Sequence, residues 1–148
     1  MELKFATCLN CIDGRFQIPV ITWITQNYDV DYVDMITEAG MNGLLASKYF
    51  DPSHVLRRLA ISISKNNSNT IFIVGHFDCA ANSVKEEVQK KHIKKAVERI
   101  KNYTLSCQVI GIWVSEYLEV EKISEVGGIR KDDSQEDDSQ MYEYSASG

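Results

Sequence analysis

The sequence predicts an α/β protein: three layers around a mostly parallel central sheet of four to five strands. Three observations carry this. Short runs of apolar and β-branched residues recur at 3–9, 31–36, 70–74 and 108–114, the pattern of strands buried on both faces. Stretches with helical apolar spacing stand between them, and strands alternating with helices require a parallel sheet with right-handed crossovers. Finally, the residues with the most distinctive chemistry stand at the carboxyl ends of two of these strands, where open α/β sheets place their ligands.

Leu3 to Leu9 forms the first strand, and Asn10 to Arg15 turns out of it. Gly14 supplies backbone freedom in that turn. Pro19 fits the first turn of a helix, where its missing N–H costs nothing, and Val20, Trp23, Ile24 and Tyr28 give this helix an apolar face. Asp31 to Ile36 is the second strand and runs into Thr37-Glu38-Ala39-Gly40, while residues 41–50 carry no decisive pattern. Asp51-Pro52 marks a helix start, an N-cap carboxylate followed by proline at the first helical position. Val55, Leu56, Leu59 and Ile63 continue it at helical spacing. After the polar linker Lys65 to Asn69, the strand from Thr70 to Val74 leads into Gly75-His76-Phe77-Asp78-Cys79. Ser83-Val84-Lys85-Glu86 has the form of a capping box, predicting a helix to about Tyr103 that buries Val84, Val88, Ile93, Val97 and Ile100. Gln108 to Val114 is the fourth strand, and residues 117–123 add a short edge strand.

With 148 residues the chain is long enough for one domain with a substantial core. A composition 44% hydrophobic and 25% charged is that of an ordinary globular protein. Residues 1–126 are expected to form the folded, metal-binding domain and residues 127–148 an acidic, disordered tail. Of the net charge of −5, four units fall in residues 130–148, which hold six acidic and two basic side chains. Asp-Asp-Ser-Gln occurs there twice, and such a segment buries too little apolar surface to offset its ordering entropy. No apolar run approaches the roughly 20 residues of a membrane span and the start lacks a signal-peptide form, so a cytoplasmic protein is expected. No basic stripe with interleaved aromatics is present, which argues against nucleic acid as a partner. Four cysteines without a secretory signal favour metal or thiol chemistry over a disulfide framework.

If the first and third strands lie side by side, Cys11, His76 and Cys79 meet in one crevice. Two thiolates and an imidazole suit zinc, and a Cys2His set leaves a fourth tetrahedral position for water, substrate or another side chain. Asp13, two residues beyond Cys11, reaches the metal or its water, and Arg15 can hold its carboxylate in a bidentate pair. The fourth position stays open between water, Asp13 and Cys8, because Cys8-Leu9-Asn10-Cys11 is also a Cys-x-x-Cys. Cys8 nevertheless lies about three residues, roughly 10 Å, below the strand end, which suits a small core residue. Cys107, Trp23 and Trp113 read as packing residues, His54 and His92 as solvated surface side chains, and Asp78 as a loop carboxylate bonding local backbone N–H groups.

Cys11-x-Asp13-x-Arg15, followed roughly sixty residues on by Gly75-His76-x-x-Cys79, resembles the β-class carbonic anhydrases. The resemblance covers roughly residues 3–115. It implies the strand order 2-1-3-4, Cys11, His76 and Cys79 as Zn2+ ligands, and Asp13 with Arg15 as a dyad beside the metal. It further implies a lyase interconverting CO2 and bicarbonate through a zinc-bound hydroxide, assembled as a homodimer or higher homo-oligomer. Two thiolates neutralise Zn2+, so other donors must help activate the bound water. Backbone N–H groups after Cys79, near the next helix start, are expected to polarise a substrate oxygen.

The chain departs from the family at several points. Thr37-Glu38 replaces a common Arg-Asn before Ala39-Gly40, Phe77 stands where a small hydroxyl residue is common, and Ala80-Ala81 replaces glycine after the second cysteine. The family's additional N-terminal helices are not seen ahead of the first strand. Two alternative functions follow. One is hydrolysis of COS or CS2 at the same site; the other is a catalytically silent zinc-binding protein whose coordination sphere Asp13 or Cys8 closes.

Overall fold

Every residue of Ile71–His76 is buried, and this strand occupies the centre of a five-stranded sheet. The structure, a computed structural model, describes residues 2–128. Strands β1 (Phe5–Asn10), β2 (Tyr32–Thr37), β3 (Thr70–His76), β4 (Gln108–Val114) and β5 (Val120–Val126) lie in the order β2-β1-β3-β4-β5. The first four are mutually parallel and β5 is antiparallel to β4. The four-strand order implied by the resemblance is therefore the observed one, extended by the edge strand.

Helix α1 (Ile18–Asn27) covers one face, where Val20 and Ile24 pack with Ala6, Cys8, Phe72, Val74, Ile110 and Ile112. Helices α2 (Met41–Ala46), α3 (Ser53–Asn66) and α4 (Glu86–Tyr103) cover the other, over Leu9, Ile71, Ile73, Val109 and Trp113. The side chains alternate between the two clusters along each strand, as a pleated sheet requires. Right-handed crossovers account for the distribution of helices: the chain moves outward from β1 to β2, then returns past β1 to β3, so the flanking helices change faces. The turning point lies between the carboxyl ends of β1 and β3, where a crevice must open.

Several boundaries differ from expectation, for local reasons. β1 begins at Phe5 and not Leu3, and β2 runs one residue further than expected. The indecisive stretch 41–50 holds α2, opened by Gly40 at φ 65°. α3 starts at Ser53 with Pro52, not Asp51, as its N-cap; Asp51 stands one residue earlier and accepts the Ser53 N–H at Oδ1, 3.0 Å away. The expected capping box is not used: α4 starts at Glu86 and Lys85 is its extended N-cap, without a side-chain cap. Val84 is consequently exposed and Val88 half-buried, while Gln89 takes a core position. Tertiary bonding of residues 79–82, described below, holds this segment as a loop and overrides the local signal. β5 lies at 120–126 and not 117–123, because residues 115–119 form the tight turn out of β4. Leu118 donates to Ser115 O at 3.0 Å, with φ 62°. Apart from Gly127 and Gly128, the acidic segment lies outside the described residues.

Polar groups also tie α3 to the sheet. The Thr7 hydroxyl lies 2.6 Å from Ser62 Oγ and 2.7 Å from Ser68 Oγ, and Ser62 and Asn66 donate to Asp34 Oδ2. Cys107 is core as expected, and Trp113 is 4% exposed. Trp23 is half-buried, edge-on to Tyr28 and Phe72.

α4 approaches β4 closely because Gly111 has no side chain: a Cβ there would fall on Ile93 Cγ2 and 3.0 Å from Val97 Cγ2. Gly111→Ala is expected to destabilise the protein by about 1–3 kcal/mol, as overpacking does. The check is the midpoint of urea unfolding, and an unchanged midpoint would contradict this packing.

Candidate metal centre

The loop leaving β1 is held by its own polar side chains. Cys11 N–H donates to Asn10 Oδ1 at 2.8 Å, and Asn10 Nδ2 donates to Phe16 O at 3.0 Å. Gln17 Nε2 bridges the Cys11 and Asp13 carbonyls at 2.7 and 3.0 Å. Asp13 caps the single 3₁₀ turn Gly14–Phe16 by accepting from Arg15 N–H at 3.0 Å. The turn places the buried Phe16 ring on the His76 imidazole, with centroids 4.1 Å apart. Cys11 thus has a fixed direction, and the imidazole a fixed plane.

His76 closes β3. Its Nδ1 lies 2.7 Å from Phe77 O; a carbonyl only accepts, so Nδ1 carries the proton and Nε2 presents its lone pair. Among the described residues, His76 Nε2 is the only buried side-chain nitrogen or oxygen without a hydrogen-bond partner. The sulfurs of Cys11 and Cys79 stand 3.9 Å apart. That is far beyond a disulfide bond of about 2.05 Å, but close to the ~3.8 Å edge of a tetrahedron with Zn–S bonds of ~2.3 Å. One ligand atom from each of Cys11, His76 and Cys79 lies within 4.8 Å of the others, so the three can hold a metal ion. Burial pushes the His76 pKa down, favouring the neutral imidazole that metals bind. Burial also pushes the Cys79 thiol up, and the neighbouring Cys11 adds to this. A divalent cation between the sulfurs supplies the positive charge that reverses that penalty. The donor set fits zinc.

Cys11 Sγ is not bare: Gly40 N–H donates to it at 3.3 Å. In the loop that carries the other sulfur, the Asn82 N–H lies 3.3 Å from Cys79 O. Gly40 cannot be replaced cheaply. It has φ 65°, and a Cβ there would meet Ala81 O at 2.9 Å. The expectation for the N–H groups after Cys79 needs correction: α4 begins seven residues later, and the Asn82 N–H turns to Cys79 O.

Asp13 and Arg15 form a fork, with Arg15 Nη2 2.7 Å from Asp13 Oδ2 and Nε 3.1 Å from Oδ1. This side-chain bonding to Arg15 lowers the Asp13 pKa to about 2. Arg15 also donates to Asp78 O at 3.1 Å, and its Nη1 lies 3.4 Å from Asp78 Oδ2. The Asp78 carboxylate therefore faces Arg15 and not local backbone donors, with the residue itself at φ 56°. Neither Asp13 nor Cys8 belongs to the close ligand group; Cys8 is fully buried in the apolar cluster under α1. His54 is exposed as expected, whereas His92 is half-buried with Nδ1 3.0 Å from Asn82 Nδ2. Ile12 is 62% exposed and Phe77 42%, and each adjoins one of the ligands in sequence.

Sequence reasoning missed Asn10, Phe16, Gln17 and Asn82. The available signal was weak: polar side chains placed directly beside the ligands or in the loops bearing them. The Arg15 fork has a measurable consequence. A carboxyl whose folded pKa is depressed contributes stability above its unfolded pKa, near 3.9, and loses it as pH falls through the folded value. In Arg15→Ala the Asp13 pKa should climb from about 2 toward ~3.9, read by carboxyl 13C NMR titration. The stability lost on acidification between about pH 4 and 2 should shrink accordingly. An unmoved Asp13 titration would refute the fork.

Residues 1–124 match a family model described as "Putative carbonic anhydrase". A comparison with curated protein sequences finds no match. Among solved structures, a carbonic anhydrase from Glaciozyma antarctica is 19% identical with a TM-score of 0.56, over 80% of this chain and 81% of that one. A tetrameric β-carbonic anhydrase from Sordaria macrospora is 10% identical with a TM-score of 0.61, over 86% and 84%. The apo form of a carbon disulfide hydrolase is 15% identical with a TM-score of 0.55, over 90% and 84%. These likenesses identify the fold as that of β-carbonic anhydrases, and the match over most of its length means that the chain belongs to the carbonic anhydrase family.

Proposed function

We propose that this protein is a zinc-dependent lyase of the carbonic anhydrase type, interconverting CO2 and bicarbonate. Cys11, His76 and Cys79 are the metal ligands in this reading, with Asp13 and Arg15 beside them. The observation that carries it is the unpartnered, buried His76 Nε2 grouped with two sulfurs at tetrahedral spacing. Zinc held there supplies Lewis acidity, bringing deprotonation of a water within reach of neutral pH.

The chain's own residues do the rest. The Gly40 N–H on Cys11 Sγ draws charge from that thiolate and so offsets part of its neutralising effect on the cation. Asp13, ionised at all but very acid pH, accepts the hydrogen of the attacking oxygen and turns its lone pair toward the CO2 carbon. Arg15 holds Asp13 by three N–H groups, which restrains the carboxylate from taking the fourth ligand position itself. Ile12 and Phe77 provide apolar surface near the ligands, suited to an uncharged linear substrate.

The proposal includes residues 1–126 as the metal-binding domain, residues 127–148 as an acidic extension, and assembly into a homodimer or higher oligomer. The tetrameric β-carbonic anhydrases among similar structures support assembly. No helix among the described residues is long and apolar enough to cross a membrane; the cytoplasm is the proposed location. A second reading, hydrolysis of COS or CS2 at the same centre, is favoured by the carbon disulfide hydrolase likeness.

Protein purified without chelator should carry one zinc per chain by elemental analysis, and Cys11→Ser, His76→Ala and Cys79→Ser should each lose it. Zinc retained in all three variants would end this assignment of ligands. Stopped-flow CO2 hydration should exceed the uncatalysed rate and rise across pH 7 to 9; a rate at background, with turnover of COS or CS2, selects the second reading. Asp13→Asn should retain zinc and lose about 10²- to 10⁴-fold in kcat. Full kcat in that variant would remove Asp13 from the reaction.

A further inference from the structure

The metal ligand with the least regular support is Cys79. It lies in the loop between β3 and α4, which contains no helix or strand from Phe77 to Lys85. Arg15 holds the first residues of this loop through Asp78, and a group of amide side chains holds the part beyond Cys79. Asn82 is 8% exposed and packs against two more buried amides, Asn42 of α2 at 2% and Gln89 of α4 at 1%. Gln89 Nε2 donates to Asn82 O at 2.8 Å, and Asn42 Nδ2 donates to Gln89 Oε1 at 2.7 Å. Asn82 Nδ2 lies 3.4 Å from both Gln89 Oε1 and Asn42 Oδ1, and 3.0 Å from His92 Nδ1. Space is reserved for the group. A Cβ on Gly43 would meet Asn82 Cγ at 2.6 Å, and one on Gly75 would meet Asn42 Nδ2 at 2.8 Å.

Three buried amides are costly unless their donors and acceptors are matched, and these match one another across three separate elements. Their placement relates them to both sulfurs. Asn82 follows Cys79 by three residues and bonds back to it, its N–H 3.3 Å from Cys79 O. Asn42 stands two residues after Gly40, whose N–H donates to Cys11 Sγ and which packs on the Ala81 carbonyl. The amide group thus adjoins the loops that bear both cysteines.

We propose that Asn82, clamped by Asn42 and Gln89, is a positioning residue for the metal centre: it holds the Cys79 loop so that Cys11 Sγ keeps its Gly40 N–H donor and the two sulfurs their 3.9 Å separation. This rests on the metal-binding reading above. It also answers a chemical requirement of that reading, since two thiolates quench the cation unless hydrogen bonds draw charge off the sulfur.

The test uses Asn82→Ala and, in case that variant does not fold, Gln89→Met, which removes the 2.8 Å bond at similar volume. In the metal-free chain, hydrogen exchange at the Ala81 and Asn82 amides should accelerate at least about tenfold while Ile71 to Val74 stay protected. Zinc affinity, by competition with a chromophoric chelator, should fall about 10- to 100-fold, as for other residues that orient metal ligands. With Co2+ as the probe, the sulfur-to-metal charge-transfer band should move to lower energy as the thiolates become more electron-rich. Unchanged loop exchange and an unmoved Co2+ band in the folded variants, with loss confined to global stability, would reduce the clamp to ordinary packing and overturn the proposal. None of these readouts involves CO2, so absence of lyase activity would leave the inference standing, and its failure would leave the lyase reading intact.

Discussion

Three donor atoms are held together, away from water, and one of them, His76 Nε2, has no hydrogen-bond partner among the described residues. Two sulfurs 3.9 Å apart and an imidazole nitrogen without a partner form a cluster that burial disfavours. The surrounding structure maintains it regardless. Phe16 fixes the imidazole plane, the Phe77 carbonyl selects the tautomer, and Gln17 and Asn10 lock the loop that carries Cys11. Such preorganisation reserves free energy for a ligand that satisfies all three atoms at once, which a soft divalent cation does.

The sheet explains why the donors meet. Reversal of strand order at β1 sends α1 to one face and the later helices to the other, leaving the carboxyl ends of β1 and β3 uncovered between them. Cys11 follows one end and His76 finishes the other. The apolar layers are rigid to either side, and glycines at 75 and 111 let α2 and α4 approach so closely that the loops inherit that rigidity. The loop carrying Cys79 is anchored at its start by the Phe77 N–H on Val114 O and by Arg15 on Asp78 O, and beyond Cys79 by polar side chains from α2 and α4.

Charge distribution around the cluster separates two roles that a carboxylate could play. Arg15 engages Asp13 through backbone and side-chain N–H groups and also reaches Asp78, so the guanidinium bridges the two loops. An Asp13 so held offers a hydrogen-bond acceptor near the centre without joining the ligand group. Cys8, the other candidate to complete that group, is consumed by packing under α1.

Residue order alone determined the alternation of strands and helices, the parallel sheet, and the five residues, Cys11, Asp13, Arg15, His76 and Cys79, to which the function is proposed to belong. Those signals are local: β-branched runs, helical spacing, and ligand types at strand ends. It also supplied a capping box at Ser83 that the protein does not use, because amides at 42, 82 and 89 bond across three elements and outweigh one helix turn. Only the tertiary structure decided that Asp78 turns to Arg15, that Asn42 and Gln89 bond the loop bearing Cys79, and that Gly40 donates to a sulfur 29 residues away in sequence. Each of these depends on which face a side chain takes or on contacts between distant segments, and neither spacing nor composition encodes such distances.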